Sequence, residues 1–85
     1  MPDLIYVGDA TSHGGVVQTG SSRVSLDGRG AARKTDRVSC PRCGDNEIAE
    51  GDERMKDGEL PLAFHGHRTR CGAILLSSSG KTGSA

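Results

Sequence analysis

Three short apolar runs stand out along a chain that is otherwise polar and rich in glycine. They lie within residues 16–20, 47–51 and 73–77. Apolar runs this short, flanked by small and polar residues, are typical of β-strands and are too short to form helices. We therefore predict that each run is a strand and that the three strands are structurally equivalent.

A second segment follows each of the first two runs and ends in an Asp-Gly pair. Asp-Gly favours the positive φ that tight hairpin turns require, so each pair predicts a β-hairpin. The chain then returns through residues 31–33 or 61–63, which completes a unit of about 30 residues. The two predicted turns are Asp27-Gly28 and Asp57-Gly58.

Helices are not expected anywhere in the sequence. Thirteen glycines interrupt the candidate segments, and the best one, residues 47–56, carries Gly51 in its middle. It also lacks an apolar stripe at helical spacing. The predicted fold class is all-β, a small assembly of β-hairpins with pseudo-threefold repeats.

A seven-residue signature recurs at residues 8–14, 35–41 and 66–72. The sixth position of each copy carries a residue that can bind a metal ion, namely His13, Cys40 and Cys71. Three matching loops that each offer a nitrogen or sulfur donor predict a single ion bound on a pseudo-threefold axis.

Two further donors lie close to these positions in sequence. Cys43 follows Cys40 with Cys-x-x-Cys spacing, inside a four-residue expansion of the second copy, and His67 precedes Cys71 with His-x-x-x-Cys spacing. Thiolate and imidazole donors favour Zn²⁺ over Ca²⁺ or Mg²⁺. Five donors thus compete for about four positions, and the sequence does not choose among His13, Cys40, Cys43, His67 and Cys71.

Other interpretations of these residues have to be weighed against a zinc site. Cys40 and Cys71 could be small buried residues without a metal, and His65 fits a loop residue better than a ligand. Cys40 and Cys43 match a thiol redox pair in spacing, but that chemistry needs the first thiol at a helix N-terminus. No nucleophile elbow or phosphate loop is present. A zinc site closed by four protein ligands leaves no open position for catalysis, so the protein is not expected to be an enzyme.

The composition limits how this chain can be stabilised. It has 85 residues, 33% of them hydrophobic, and only Tyr6 and Phe64 are aromatic. Because so few side chains can build a core, a metal or a partner is expected to supply the missing stability. The formal net charge is zero, and no basic patch points to nucleic acid.

The sequence also bears on where the protein is made. It lacks the pattern of a signal peptide or a membrane span, so synthesis and folding are expected in the cytoplasm. Three cysteines are an odd number for a disulfide framework, and a reducing cytosol keeps them as thiols or metal ligands.

Several segments together resemble the PAAR-repeat proteins, a family named for Pro-Ala-Ala-Arg. Gly30-Ala31-Ala32-Arg33 stands for that motif in the first repeat, and the second keeps Pro61 and Ala63. The resemblance also rests on residues 11–15, 39–41 and 69–73, and it covers residues 3–79. It predicts a PAAR domain over residues 1–79 and a flexible polar tail over residues 80–85.

The resemblance implies a small cone with a structural zinc near its apex. Such proteins cap and sharpen the trimeric valine-glycine-repeat spike of a type VI secretion system, or a related phage tail tip, and form its membrane-piercing point. Family zinc sites use three histidines and one cysteine, which carries over most readily to His13, His67 and Cys71. Cys43 stands where the family often has histidine, which makes this site richer in sulfur.

The resemblance also implies partners and a route. One monomer is expected on each trimeric spike, with effectors bound noncovalently, and the protein leaves the cytoplasm for a target cell through the type VI apparatus. We expect the spike contact at the apolar runs, around Val16, Val17, Ile48 and residues 74–76, with the ligand loops pointing away. A free-standing zinc module that binds other proteins is the alternative function.

Overall fold

A computed structural model describes residues 3–26 and 28–77. Within these ranges the chain forms only strands, bridges and turns, so the predicted all-β class is confirmed, and no helix in them could cross a membrane. Asp27 and the predicted tail, residues 80–85, lie outside the described residues. The strands are β1 (Ala10–Thr11), β2 (Ser25–Leu26), β3 (Arg29–Gly30), β4 (Arg37–Val38), β5 (Asn46–Glu47), β6 (Asp52–Asp57), β7 (Leu60–Leu62) and β8 (Leu75–Leu76).

The strands form four small antiparallel pairs, β1–β8, β2–β3, β4–β5 and β6–β7. Three of these pairs join strands that follow one another directly in the chain. The exception is β1–β8, which joins the first repeat to the last with Thr11 opposite Leu75. This pair closes the chain into a ring.

The two predicted hairpins are β2–β3 and β6–β7. Leu26 pairs with Arg29 across the first turn, where Gly28 has φ +79°, and Asp57 pairs with Leu60 across the second, where Gly58 has φ +65°. Glycine adopts these angles without the steric cost that a Cβ imposes. In the second hairpin Asp57 is therefore the last strand residue rather than part of the loop.

The apolar runs do not form the continuous strands that their sequence predicts. Val16 bridges to Ala10 of its own repeat, whereas Val17 bridges to Val38 of the next repeat. The backbone hydrogen-bonding groups of successive strand residues point to opposite edges of the strand. Each run therefore pairs with its own repeat through one residue and with a neighbouring repeat through the next. The ladders consequently end after one or two residues.

Pairing between repeats is cyclic, which confirms the pseudo-threefold arrangement. The bridge from Val17 to Val38 joins the first repeat to the second, and an equivalent bridge from Ile48 to Thr69 joins the second to the third. The β1–β8 pair then returns to the first repeat. Each repeat thus supplies the same kind of edge to one neighbour.

A second ring of backbone hydrogen bonds has the same symmetry. The Ile5 amide donates to the carbonyl of Ala63 (3.0 Å), Ala63 donates to Ala32 (2.9 Å), and Ala32 donates to Ile5 (2.7 Å). All three residues have 0% exposure. Each lies at the same interval before the donor position of its repeat, so this ring and the donors mark two levels of one pseudo-threefold stack.

The main core consists of these ring residues, the inner residues of the three runs, and Val38 of β4. Its members are Ile5, Val17, Ala32, Val38, Ile48, Ala63 and Leu75. A smaller cluster of Tyr6, Ala31, Leu62 and Phe64 packs beside it, with Leu4 and Val24 at its edge. Equivalent positions of three repeats therefore build a core from few hydrophobic residues.

This core corrects the expected position of the spike contact. Val17, Ile48 and Leu75 are at most 1% exposed, so they are not available to a partner. Among the large hydrophobic residues of the three runs, only Val16 and Ile74 remain substantially exposed. The expectation fails for these three residues because it treated the runs as surplus apolar surface, whereas their inner residues pack together in the main core.

Candidate metal centre

Each ligand loop begins at a residue with positive φ. Gly8 and Gly66 both have φ +94°, and Thr35 has φ +77° at the equivalent position of the second repeat. Thr35 is the one residue other than glycine with positive φ among the described residues. Because this conformation is unfavourable for a β-branched residue, the tertiary structure must hold Thr35 in it.

The next residue of each loop accepts a hydrogen bond from the backbone three residues earlier. The amide of Tyr6 donates to Asp9 Oδ2 (2.9 Å), and the amide of Arg33 donates to Asp36 Oδ2 (2.8 Å). The carboxylates lock the turn that leads the chain from the inner ring toward the donor position. Both aspartates are buried.

His67 occupies the same position in the third repeat. Its Nδ1 accepts the amide hydrogen of Phe64 (3.0 Å), as the carboxylates do in the other repeats, and its ring packs edge-on against Phe64. The imidazole nitrogen replaces a carboxylate oxygen as the turn acceptor. The structure does not bring His67 into the cluster of metal donors.

A buried threonine shapes the far side of two loops. Thr11 Oγ1 accepts from the amide of Gly15 (3.1 Å), and Thr69 Oγ1 accepts from the amide of Ala73 at the same distance. Val38 takes this position in the second repeat, where the loop is longer. The threonines close the short loops tightly, which fixes the donors that follow them.

Three donor atoms, one from each repeat, form a nearly equilateral triangle. His13 Nδ1 lies 3.7 Å from the sulfur of Cys40 and 3.7 Å from the sulfur of Cys71. The two sulfurs are 3.6 Å apart. The structure therefore brings together the three residues that share the sixth position of the signature.

Cys43 completes the group from the expanded loop of the second repeat. The Gly44 amide donates to the Cys40 carbonyl (2.8 Å), and Gly44 has φ +80°, so the chain turns back after Cys43. The donor atoms of His13, Cys40, Cys43 and Cys71 all lie within 4.8 Å of one another. Cys40 is buried, His13 and Cys71 are half-buried, and Cys43 is exposed.

These spacings fit a tetrahedral zinc site. Zinc–sulfur bonds of about 2.3 Å and zinc–nitrogen bonds of about 2.0 Å at tetrahedral angles place sulfurs about 3.8 Å apart, and sulfur and nitrogen about 3.5 Å apart. The triangle of His13, Cys40 and Cys71 has edges of 3.6–3.7 Å. Three of the four donors thus have tetrahedral spacings and Cys43 lies within 4.8 Å of them, so the four side chains form a cluster that can bind a metal ion.

Hydrogen bonding within the cluster favours a thiolate. The Thr69 hydroxyl lies 3.3 Å from the sulfur of Cys71, and its hydrogen bond is the main cause that lowers the pKa of Cys71 to about 6. The hydrogen bond that Cys43 makes to Cys71 raises the pKa of Cys43 to about 11. The Cys43 thiol thus keeps its proton next to the Cys71 thiolate. A cation that replaces this proton relieves the repulsion between the sulfurs.

His65 lies apart from the metal donors, as its interpretation as a loop residue requires. It is exposed, and its Nδ1 accepts the amide hydrogen of Ser77 (3.0 Å). This bond ties the end of β8 to the segment before the third ligand loop. Both His65 and His67 therefore accept backbone hydrogen bonds, and only His13 of the three histidines faces the cysteines.

A network of ion pairs that was not predicted from the sequence joins the second ligand loop to the β6–β7 hairpin. Arg33 contacts Asp36 (3.0 Å) and Asp57 (3.2 Å), and Arg23 also contacts Asp57 (2.8 Å). Arg33 is the arginine of the Gly-Ala-Ala-Arg segment, so this position links the ligand loop to the β6–β7 hairpin. The signal available in the sequence was the aspartate shared by two repeats, since Asp36 follows Thr35 as Asp9 follows Gly8.

A family model described as the PAAR motif matches residues 7–77, which include the three ligand loops, both hairpins and all four clustered donors. No curated protein matches the chain in sequence.

Proposed function

The chain belongs to the PAAR-motif family, and we propose that it caps the trimeric valine-glycine-repeat spike of a type VI secretion system as its rigid tip. Family membership supports a spike-tip type of role in general. The observation that carries the specific proposal is the closed ring of three repeats within one chain. A single monomer can therefore present similar surfaces to three identical spike subunits.

We propose one zinc ion per chain, held by His13, Cys40, Cys43 and Cys71. The donor spacing supports a tetrahedral ion, and the sulfur-rich set supports zinc over harder cations. The proposed set leaves out His67, because its Nδ1 accepts the amide hydrogen of Phe64. The proposed set thus has one histidine and three cysteines, in contrast to the three histidines and one cysteine that the resemblance implies.

The zinc would act as a structural cross-link. The small core supplies limited stability, and each of the three ligand loops contributes at least one donor. Binding one ion therefore fixes all three loops relative to one another. A rigid end of this kind suits a tip that has to penetrate a membrane under mechanical load.

The spike contact is proposed at the end of the stack away from the metal donors. The buried ring of Ile5, Ala32 and Ala63 lies toward that end, and the β2–β3 and β6–β7 hairpins adjoin it in sequence. Docking there would cover strand edges that otherwise invite aggregation. We propose this surface in place of the apolar runs as the spike contact, because the inner residues of the runs are buried in the core.

Residues 1–79 are proposed as the PAAR domain, without enzymatic activity of their own. The tip would be made in the cytoplasm and leave it with the spike, together with effectors that bind it noncovalently. Family membership supports a secreted component in general.

A binding experiment tests this proposal. The zinc-loaded chain is mixed with the trimeric spike protein of the same secretion cluster, and complex formation is followed by size-exclusion chromatography. The proposal expects a stable complex that a spike truncated at its tip does not form. If the chain binds zinc but binds neither the full-length nor the truncated spike, a free-standing zinc module becomes the better assignment than a spike tip.

A further inference from the structure

The three cysteines of the metal cluster are close enough to one another for disulfide chemistry. Their sulfurs lie within 4.8 Å of one another, and those of Cys40 and Cys71 are 3.6 Å apart. We propose that Cys43 is an oxidation site, and that a low-molecular-weight disulfide converts Cys40 and Cys43 into a disulfide that releases the metal. This inference rests on the proposed zinc site and on the proposed delivery out of the cytoplasm.

Cys43 is the sulfur that a reagent in solution reaches first. It is exposed, whereas Cys71 is half-buried and Cys40 is only 5% exposed. Access decides which of several neighbouring cysteines meets a reagent first in thiol–disulfide exchange. The exposure of Cys43 therefore makes it the entry point.

Cys40 is the neighbouring cysteine that lies in the same turn as Cys43. Cys40 and Cys43 lie in one turn, closed by the hydrogen bond from the Gly44 amide to the Cys40 carbonyl. The Cys-x-x-Cys spacing allows a disulfide within such a turn. Cys71 belongs to a different repeat, and its loop is held by Thr69.

The oxidation proceeds through two thiol–disulfide exchange steps. The Cys43 thiolate attacks one sulfur of the low-molecular-weight disulfide, forms a mixed disulfide and expels one thiolate. The Cys40 thiolate then attacks the Cys43 sulfur of the mixed disulfide, forms the internal disulfide and expels the second thiolate. The protein loses two electrons, and the reagent gains them as it becomes two thiols.

The product no longer holds a closed site. The disulfide removes two of the four proposed ligands and leaves His13 and Cys71 from the first and third repeats. The second repeat then has no donor left for the metal, so the metal cross-link between the three loops is lost. Because oxidising conditions lie outside the cytoplasm, the tip would stay intact during assembly and loosen after delivery.

The test uses the zinc-loaded full-length chain with excess glutathione disulfide, and with reduced glutathione in a parallel sample. A chromogenic zinc indicator follows release, and mass spectrometry follows the thiols. The expected result is loss of the bound zinc only in the oxidised sample, with an intact-mass decrease of about 2 Da for two hydrogens. Zinc retention with three free thiols would overturn the inference but leave the spike-tip proposal intact.

Peptide mapping identifies the bonded pair. Trypsin cleaves after Arg42, between the two cysteines, so a Cys40–Cys43 disulfide links peptides 38–42 and 43–54. In samples quenched early, a glutathione adduct is expected on peptide 43–54 before the linked pair accumulates. An adduct first on peptide 71–81, or a link to that peptide, would overturn the assignment of Cys43 and Cys40.

A matched variant isolates Cys43. Cys43→His keeps a nitrogen donor at the fourth position and removes the exposed sulfur, so zinc release by glutathione disulfide should be at least tenfold slower than in the parent. Equal release rates would show that Cys43 is not the entry point. If this variant does not fold, the order of adducts in the parent decides the same question. A parent chain that binds no zinc would instead refute the metal site itself.

Discussion

His13 Nδ1 lies 3.7 Å from the sulfur of Cys71, although 58 residues separate them in the chain. This contact joins the first repeat to the third and reinforces the closure made by the β1–β8 pair. A metal bound there would join the ends of a ring that few hydrophobic residues stabilise. The consequences for folding, symmetry and oxidation all depend on this closure.

Removal of a donor in this pair should unfold the protein. Structural zinc contributes about 10–16 kcal/mol of apparent binding free energy, and a whole domain has only about 5–15 kcal/mol of stability. His13→Ala and Cys71→Ala should therefore lose the cooperative thermal transition seen by circular dichroism. His65→Ala is the matched control, since it removes an exposed histidine outside the cluster and should keep both zinc and the transition. Cooperative melting of the zinc-free parent at an unchanged temperature would contradict the prediction.

His67 should tolerate aspartate. Asp9 and Asp36 accept the equivalent backbone hydrogen bond in the other repeats, so His67→Asp should keep one zinc per chain and near-parental stability. His67→Ala leaves the Phe64 amide without its acceptor and should cost about 1–3 kcal/mol while the metal stays bound. Elemental analysis and urea unfolding measure the two effects separately. Loss of zinc from His67→Asp would show that His67 is a ligand.

Glycine should stabilise the second loop at position 35. Thr35 has φ +77° where the other repeats have glycine, and its side chain is exposed. Relief of about 1–2 kcal/mol of left-handed strain exceeds the entropic cost of glycine, so Thr35→Gly should gain about 0.5–1 kcal/mol. Thr35→Ala, which keeps a Cβ, is the control and should gain less. Urea unfolding in the presence of zinc checks this, and an equal gain in both variants would rule out strain as the cause.

Stability should depend on Asp57 in acid. The hydrogen bond from Ser21, with the Arg23 and Arg33 guanidinium groups, lowers the pKa of Asp57 in the folded protein. A lowered folded pKa gives stability that is full above the unfolded pKa of about 3.9 and is lost as pH falls through the folded value. The stability difference between the parent and Asp57→Asn should therefore shrink as pH falls below about 4.

The control for this pH dependence is the exposed neighbour Glu59. Glu59→Gln removes a carboxylate from the same hairpin, and its stability difference from the parent should stay small at every pH. Protonation of the metal donors affects all three proteins alike, so it cancels in the comparison. A parent-to-Asp57→Asn difference that grows in acid would refute the ionic role of Asp57.

The sequence predicted the elements whose signals are local. Asp57-Gly58 marked a hairpin because its backbone requirement is met within four residues, and Cys43 was identified as a candidate donor from its insertion beside Cys40. The repeated signature also predicted that His13, Cys40 and Cys71 come together. These inferences needed only turn chemistry and the equivalence of the repeats.

The use of the apolar runs and of His67 could not be predicted in the same way. Val17 and Ile48 pair with other repeats, so their burial depends on how the ring closes rather than on their own neighbours. Histidine can bind a metal or accept a backbone hydrogen bond, and its residue type fits both. The position of His67 in the repeat, equivalent to Asp9 and Asp36, was the signal that distinguishes the two.

The ratio of tip to spike tests the central claim most directly. Multi-angle light scattering of the complex between the zinc-loaded chain and its trimeric spike gives the mass of the assembly. We predict one copy of the chain per spike trimer, because its three repeats already supply the matching symmetry. Three copies per trimer, or no complex with the spike from its own secretion cluster, would contradict the assignment as a spike tip.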